Sequence, residues 1–183
     1  VYNALASIAT GHILGVELHK MKKALEKPGG VPGRFELIDE GQDFQVIVDY
    51  AHSPDGLENI LKSVKKFTKG KMIIVFGCGG NRDKMKRPIM GKIAAKLSDY
   101  SIITSDNPRF ENPELIAKEI EEGIKQAGGK YEKILERKDA IEYAIRQANT
   151  DDTIIIAGKG HETFQIVEDR KIPFDDRQVA REM

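Results

Sequence analysis

The sequence contains a single cysteine, Cys78, and no tryptophan among its 183 residues. One cysteine excludes an internal disulfide bond, as is usual in a reducing cytoplasm. Lys and Arg together number 29, as do Asp and Glu, so the sequence lacks the basic excess of nucleic-acid-binding proteins. No apolar run approaches the roughly 20 residues of a membrane-spanning helix, and no signal peptide is visible. These absences predict a cytoplasmic protein that binds neither nucleic acid nor membrane.

The start of the chain has a different pattern from the rest. Apolar residues recur at helical spacing in residues 3–14 and 17–26. The next seven residues, Lys27–Gly33, contain two prolines and three glycines, which indicates a linker. Two helices alone cannot bury their apolar faces, and the chain begins within a helical pattern. We therefore predict that residues 1–33 are the end of a preceding domain plus a linker, that residues 34–183 form the main domain, and that the chain is part of a longer protein.

Beyond the linker, apolar strands alternate with amphipathic helices. This alternation predicts an α/β domain with a Rossmann-like, mainly parallel sheet and helices on both faces. The predicted strands are residues 44–49, 72–76, 100–104, 131–135, 153–157 and 164–167, and the predicted helices are residues 54–67, 88–97, 113–126, 138–148 and a last one from about 175.

Polar or glycine-rich clusters follow four of these strands. They are Asp49–His52, Gly77–Asp83, Ser105–Arg109 and Gly158–Glu162. In parallel sheets ligands bind beyond the carboxyl ends of the strands, where these clusters would meet. The pattern therefore predicts a ligand site along this edge of the sheet.

The residue types at this edge suit a zwitterionic ligand such as an amino acid. Arg82 and Arg109 can each bind a carboxylate through two parallel hydrogen bonds. Asp106, Asn107 and Glu162 can accept hydrogen bonds from an ammonium group. Each arginine alone can also be an ordinary surface residue, and Asp106 can simply cap a turn. The glycines at 77, 79 and 80 allow close approach to a ligand or a tight turn, but they match neither a P-loop nor a GxGxxG fingerprint.

Other polar residues allow two interpretations. His52 and His161 can act as bases or metal ligands, but no metal-ligand spacing accompanies them, and a structural histidine is the simpler interpretation. Asp49 can bind a ribose hydroxyl or cap its loop. For Asp175–Arg177 we favour a helix N-cap with a local ion pair.

Eight segments, taken together and in order, resemble the Mur ligase family. Any one of them would be a weak signal, but the ordered set is specific and runs through nearly the whole chain. The Asp106–Arg109 run looks like the diaminopimelate-selecting motif of that family. The segments are Asn3–Ala6, Val31–Arg34, Val48–Asp55, Phe76–Asp83, Lys86–Pro88, Thr104–Arg109, Ala157–Glu162 and Pro173–Arg177.

The resemblance implies the C-terminal domain of a three-domain, monomeric, ATP-dependent amide-bond ligase of peptidoglycan synthesis. Such an enzyme activates UDP-N-acetylmuramoyl-L-alanyl-D-glutamate as an acyl phosphate, which the amine of meso-diaminopimelate then attacks. The P-loop and the Mg²⁺ ligands would lie in the preceding domain, so the resemblance implies no catalytic or metal-binding residue here and no activity of this part alone. The implied diaminopimelate contacts are Arg82, Asp106, Asn107, Arg109, Gly158 and Glu162, and the implied ATP contacts are Asn3, Arg34, Asp49 and His52.

Three alternatives stay open from the sequence. The same kind of ligase can use L-lysine, against which the Asp106–Arg109 run argues, or lanthionine, which has the same two zwitterionic ends. A non-catalytic, Rossmann-like nucleotide-binding module is a second possibility, although the glycine fingerprint is missing. A folylpolyglutamate synthetase domain shares the predicted architecture, but we would not expect it to carry both the Asp106–Arg109 and the Gly158–Glu162 runs.

Overall fold

A computed structural model describes residues 2–26 and 30–183 and divides the chain into two compact units, Val1–Gly30 and Val31–Met183. The first unit contains helices α1 (Tyr2–Ile13) and α2 (Leu18–Leu25), in agreement with the two helical patterns. Large apolar side chains of this unit are exposed, including Ile13 and Leu14. Part of the predicted linker, residues 27–29, lies outside the described residues.

The second unit is built on a six-stranded sheet in the order β1-β2-β6-β3-β4-β5. All neighbouring pairs are parallel except β1 with β2. A separate antiparallel pair, β7 with β8, forms a hairpin. The elements are β1 (Glu36–Ile38), β2 (Gln45–Asp49), α3 (Pro54–Val64), β3 (Met72–Phe76), α4 (Lys86–Leu97), β4 (Tyr100–Ile103), α5 (Pro113–Gln126), β5 (Tyr131–Lys133), α6 (Arg137–Gln147), β6 (Thr153–Ala157), β7 (Phe164–Val167), β8 (Arg170–Pro173) and α7 (Asp176–Arg181).

The predicted mainly parallel sheet is confirmed, and two strands were missed. Strand β1 has only three residues and is partly exposed, and β8 is exposed along its whole length, so neither carries the apolar run that indicates a buried strand. Predicted strand 131–135 ends earlier, at Lys133. Helices α3 and α5 begin at the predicted residues. Ser53 and Asn112 cap their first turns, and each is followed by a proline, which favours the first helical position.

Helices cover both faces of the sheet, which explains the continuous apolar strands. On one face Ile74, Phe76 and Ile155 pack with buried side chains of α3, α4 and α5. On the other face Ile73 and Val75 pack with side chains of α6 and α7. Strands β3 and β6 are buried at every position. No helix in the described part of the chain is long and apolar enough to cross a membrane.

A buried ion pair joins the helices of the second face to the carboxyl ends of two strands. Arg137 at the start of α6 donates to both oxygens of Asp176 on α7, over 2.7 and 2.8 Å, and neither side chain is exposed. The same guanidinium donates to Ala157 O at the end of β6 (3.0 Å) and to Ser105 O just beyond β4 (3.3 Å). Burial opposes the charge of Arg137, but the attraction to Asp176 outweighs it and raises the pKa of Arg137.

The predicted N-cap and local ion pair at the start of α7 are confirmed for Asp175, but Asp176 takes no part in them. Asp175 accepts a hydrogen bond from Arg177 N (2.9 Å) and pairs with the Arg177 guanidinium (2.6 Å). Asp176 points inward instead, to Arg137. The local pattern could not indicate this, because the partner lies 39 residues earlier in the chain.

We predict that the substitution Arg137→Met lowers the free energy of unfolding by about 3–5 kcal/mol, because it leaves Asp176 buried without its partner. The control is Arg146→Met on the same helix, which removes an exposed pair with Glu142 and should change stability by at most about 1 kcal/mol. Urea unfolding followed by far-UV circular dichroism measures both, since the sequence has no tryptophan. Equal losses in the two variants would contradict the prediction.

Candidate functional site

A cavity of about 340 Å³ opens at the carboxyl ends of the central strands. It combines two arginines, a lysine, three carboxylates and several glycines, as expected for a polar ligand. Every residue implied to contact diaminopimelate lines it, together with His52. The full lining is Tyr50, His52, Gly77, Cys78, Gly79, Arg82, Asp83, Lys86, Asp106, Asn107, Arg109, Gly158 and Glu162.

The two arginines differ in how firmly the protein holds them. Arg82 is exposed, and its guanidinium donates only to the neighbouring Asn81 O (3.1 Å) among the residues described. Arg109 is half-buried, and its Nη1 donates to Gly80 O (3.0 Å) and Asn107 O (3.3 Å). Hairpin strand β7 fixes the main chain of Arg109, whose N donates to Ile166 O (3.0 Å). Among the residues described, Arg109 is therefore held in place with Nε and Nη2 still available, whereas Arg82 is anchored only to its neighbour in the chain.

Two carboxylates of the cavity have contrasting surroundings. Asp106 is 8% exposed, and its carboxylate accepts no hydrogen bond within residues 2–26 and 30–183. Oε2 of Glu162 accepts from Lys159 Nζ (2.9 Å) and from Asn107 Nδ2 (3.0 Å). Burial by itself raises the pKa of Glu162, but these two donors outweigh it and lower the pKa below its usual value. Glu162 is therefore an ionised acceptor at neutral pH.

Asn107 lines the cavity as predicted, but its oxygen is already occupied. Asn107 Oδ1 accepts from Lys159 Nζ (3.1 Å) and from Ile166 N (2.9 Å), which fills both acceptor positions of a carboxamide oxygen. The amide group in turn donates to Glu162. In this arrangement Asn107 orients Glu162 and the hairpin, and it has no free acceptor for a ligand ammonium group.

A second buried arginine, which the sequence analysis did not single out, holds the glycine-rich loop. Arg87 is fully buried at the start of α4 and pairs with both oxygens of Glu111, each at 3.0 Å, and with Glu119 at 2.9 Å. Its guanidinium also donates to Gly79 O (3.3 Å) in the cavity wall. This pairing lowers the pKa of Glu111 to about 2. Arg87 belongs to the Lys86–Pro88 segment of the family resemblance. Its partners Glu111 and Glu119 are distant in the sequence, so its role could not be predicted from the sequence.

Two glycines of the cavity are required by close approach. Gly158 has φ +115°, and a Cβ built there would lie 2.7 Å from Asp106 Oδ2. A Cβ on Gly77 would lie 2.1 Å from Thr104 O, so the ends of β3 and β4 can meet only without a side chain. Close backbone packing alone therefore explains why residue 77 is glycine. Gly158, in contrast, directly shapes the cavity.

Cys78 also lines the cavity but is chemically protected. Its side chain is 3% exposed, and its sulfur contacts Met90 Sδ at 3.7 Å. Burial raises the pKa of this thiol to about 12. The thiolate, which is the reactive form, is therefore scarce at neutral pH.

Most of the residues implied to contact ATP lie around Tyr50, which itself lines the cavity. The Arg34 guanidinium lies 4.6 Å from the centre of the Tyr50 ring. The centre of the His52 ring lies 4.6 Å from the same point. The Asp49 carboxylate accepts hydrogen bonds from Phe35 N and Ala51 N, both at 2.8 Å. These bonds are those expected of a residue that caps its loop. Asn3 is exposed on α1 of the first unit.

His52 and His161 both pack against the ring of Tyr50. His161 lies 5.3 Å from the Tyr50 ring, and His52 Nδ1 is 2.9 Å from Tyr50 O, so both have packing roles. Within the part of the chain that the structure describes, no group of three or more His, Cys, Asp or Glu side chains is arranged to hold a metal ion.

The sequence of this domain has many relatives. A family model described as "Mur ligase, glutamate ligase domain" matches residues 33–160. The UDP-N-acetylmuramoyl-L-alanyl-D-glutamate--2,6-diaminopimelate ligase of Alkaliphilus oremlandii is 55% identical over 183 residues, which are 100% of this chain and 38% of that protein. The ligase of the same name from Caldanaerobacter subterraneus subsp. tengcongensis is 51% identical with the same coverage. The chain therefore spans little more than a third of the length of these relatives.

Solved structures share the fold. One UDP-N-acetylmuramoyl-L-alanyl-D-glutamate--2,6-diaminopimelate ligase aligns with a TM-score of 0.78 and 37% identity, over 97% of this chain and 36% of that one. A bifunctional folylpolyglutamate synthase/dihydrofolate synthase from Yersinia pestis, complexed with AMPPNP and a Mn ion, aligns with a TM-score of 0.60 and 18% identity, over 79% of this chain and 32% of that one. Because the family model matches well over half of the residues, the chain belongs to the Mur ligase family.

Proposed function

We propose that this chain is the amino-acid-binding part of an ATP-dependent ligase that adds meso-diaminopimelate to UDP-N-acetylmuramoyl-L-alanyl-D-glutamate in peptidoglycan synthesis. The observation that carries the proposal is one cavity with two arginines, Arg82 and Arg109, and two carboxylates, Asp106 and Glu162. A free amino-acid end offers one carboxylate and one ammonium group, which these side chains complement. The names of the relatives support this choice of substrate.

The division of the chain supports its place in a larger enzyme. We propose that residues 1–33 are the last helices of an ATP-binding domain with their linker and that residues 34–183 are the C-terminal domain. The boundary between the compact units at Gly30 and Val31 and the exposed Ile13 and Leu14 support this assignment. The whole enzyme would act as a cytoplasmic monomer, and this part alone would not be active.

In the proposed reaction this chain positions the attacking amine. Phosphorylation by ATP gives the D-glutamate carboxyl of the nucleotide substrate a leaving group, and the amine of the amino acid then displaces it. Arg82, Arg109, Asp106 and Glu162 would bind the distal carboxylate and ammonium group, so that the other amine projects out of the cavity. Holding one reactant in this orientation lowers the entropic barrier of a two-substrate step.

The residues around Tyr50 fit a nucleotide partner. Arg34 would contact the phosphates, Asp49 the ribose, and His52 would lie nearby, while Asn3 would approach the adenine. Asp49 already accepts one backbone hydrogen bond on each oxygen, but each oxygen has a second lone pair for a ribose hydroxyl. The Mg²⁺ ligands would belong to the preceding domain.

The alternatives differ in what the cavity must contain. L-lysine has no distal carboxylate and would leave one of the two arginines, Arg82 or Arg109, without a ligand partner. Lanthionine has the same two ends as diaminopimelate and fits the same groups. A nucleotide-binding module without catalysis would need neither the arginines nor the carboxylates of the cavity. The folylpolyglutamate synthases share only the fold at the identity observed.

We expect meso-diaminopimelate to shift the backbone amide NMR signals of Arg82, Asp106–Arg109 and Gly158–Glu162 in this chain. L-Lysine should bind at least about tenfold more weakly, because a hydrogen bond to a charged group contributes roughly 1.5–3 kcal/mol. A parallel titration with lanthionine tests the closest alternative. Equal shifts with lysine would refute selection by the arginines, and shifts with ATP alone would favour the nucleotide-binding module.

The substitution Arg109→Lys should weaken meso-diaminopimelate binding about tenfold, because lysine keeps the charge but cannot form two parallel hydrogen bonds with a carboxylate. Both side chains meet the same backbone strain at φ +52°, so the melting temperature should change little. Arg170→Lys on exposed strand β8 is the matched control and should change neither quantity. Isothermal titration calorimetry measures the affinities, and unchanged binding by the Arg109 variant would exclude a two-bond contact.

The substitution Gly158→Ala should abolish most diaminopimelate binding, because the added methyl group would displace the Asp106 carboxylate. Gly128→Ala is a matched control: its φ is also positive, at +71°, but its Cβ would meet no atom within 4 Å. Alanine at position 128 carries a backbone strain of roughly 1–2 kcal/mol, and at position 158, whose φ lies outside the left-handed helical region, roughly 1–3 kcal/mol, so the melting temperature of each variant is measured beside its affinity. Loss of binding in both variants would attribute the effect to stability, and loss only at position 158 would attribute it to the cavity.

A further inference from the structure

Lys159 is a charged residue at the candidate site to which neither the family resemblance nor the cavity lining gives a role. Its side chain is fully buried, and it does not line the cavity formed by the described residues. Lysine is almost never fully buried unless its ammonium group is paired. Here the ammonium group lies 2.9 Å from Glu162 Oε2 and 3.1 Å from Asn107 Oδ1, and both partners line the cavity.

The hydrogen bonds around Lys159 determine how Glu162 is oriented. Asn107 Oδ1 receives two donors, Lys159 Nζ and Ile166 N, so its amide group must face Glu162 Oε2. Glu162 Oε2 then accepts one hydrogen bond from Lys159 in its own loop and one from Asn107 in the loop after β4. Oε1 accepts no hydrogen bond from any residue that the structure describes. It is therefore the oxygen left for a ligand in the cavity.

Several other charged groups lie around Glu162, but Lys159 alone is bonded to it. Burial opposes the ionisation of Glu162, and the Lys159 hydrogen bond is the largest effect in the opposite direction. His161, on the same loop, contributes in the same sense. Arg137 from α6 and Lys171 of the hairpin, which packs on Phe164, lie nearby. The other charged groups that line the same cavity are Arg82, Asp83, Lys86, Asp106 and Arg109.

We propose that Lys159 is a positioning residue of the amino-acid site, holding Glu162 as an ionised, oriented carboxylate whose Oε1 accepts a hydrogen bond from the ammonium group of the ligand. Lys159 touches no ligand in this arrangement. The proposal rests on the proposed function for the identity of that ligand. The orientation and ionisation of Glu162 can be tested without any ligand.

The first test is a ¹³C NMR titration of the Glu162 side-chain carboxyl in the ligand-free chain. In Lys159→Met the pKa of Glu162 should rise by about one pH unit or more, because an opposite charge in contact is removed while burial remains. An unchanged pKa would overturn the proposal, whether or not the chain binds diaminopimelate. If Lys159→Met does not fold, Lys159→Gln tests the same point, since its amide can donate to Glu162 without a charge.

The second test separates positioning from simple support of the fold by a double-mutant cycle. Lys159→Met should weaken meso-diaminopimelate binding about fivefold or more at one pH unit below the pKa that the first test measures for Glu162 in that variant, and less at one pH unit above it, where Glu162 is mostly ionised again. In a Glu162→Gln background the same substitution should have little further effect on affinity. Equal losses at both pH values and in both backgrounds would assign Lys159 a structural role only and overturn the proposal.

Failure of the proposed function gives a different result. In that case the unmodified chain and the full-length ligase would not bind meso-diaminopimelate at all, whereas the Glu162 titration would still respond to Lys159→Met. The two proposals can therefore fail separately.

Discussion

The buried pair of Arg137 and Asp176 is the interaction on which the geometry of the candidate site depends. One guanidinium binds a carboxylate of α7 and two carbonyl oxygens at the ends of β4 and β6. The loops that carry Asp106 and Gly158 begin at these two strand ends. A charge that must satisfy several fixed acceptors at once allows little variation in their separation. The position of Asp106 against Gly158 therefore follows from an ion pair that lies beneath the cavity and does not line it.

Charges at this edge of the sheet fall into two groups with different physical roles. Arg87 and Lys159 are buried and paired with protein carboxylates, so they hold loops and orient side chains. Among residues 2–26 and 30–183, the Arg82 guanidinium has one hydrogen-bond partner and the Asp106 carboxylate has none, so both are open to a ligand in the cavity. This division explains how a chain of net charge +0 presents a strongly charged cavity. It also explains why Asn107, although it faces the cavity, acts through Glu162.

The alternation of strands and helices was predictable because the buried strands are short, continuous apolar runs, as in Met72–Phe76 and Thr153–Ala157. Both are buried at every position. Their shared edge was predictable as well, since parallel strands bring their carboxyl ends together. The strand order along the chain therefore predicted one shared site, and five of the predicted residues line one cavity: Arg82, Asp106, Arg109, Gly158 and Glu162.

Other features depend on partners that are distant in the sequence. The insertion of β6 between β2 and β3 follows from packing of the whole sheet, and no local pattern encodes it. Arg87 and Lys159 resemble ordinary surface residues until Glu111 and Asn107 are brought to them. Strands β1 and β8 are short and exposed, so they lack the apolar signal by which strands are recognised.

The protected state of Cys78 has a practical consequence for chemical probes. Because its thiol is buried with a pKa of about 12, maleimides and similar electrophiles should leave it intact even though it lines the cavity. In this chain, a cysteine introduced on an exposed loop would then be labelled selectively, with no need to remove Cys78. Spin labels or fluorophores can be attached to this domain in this way. Conversely, covalent inhibitors directed at the cavity gain nothing from a thiol-seeking group.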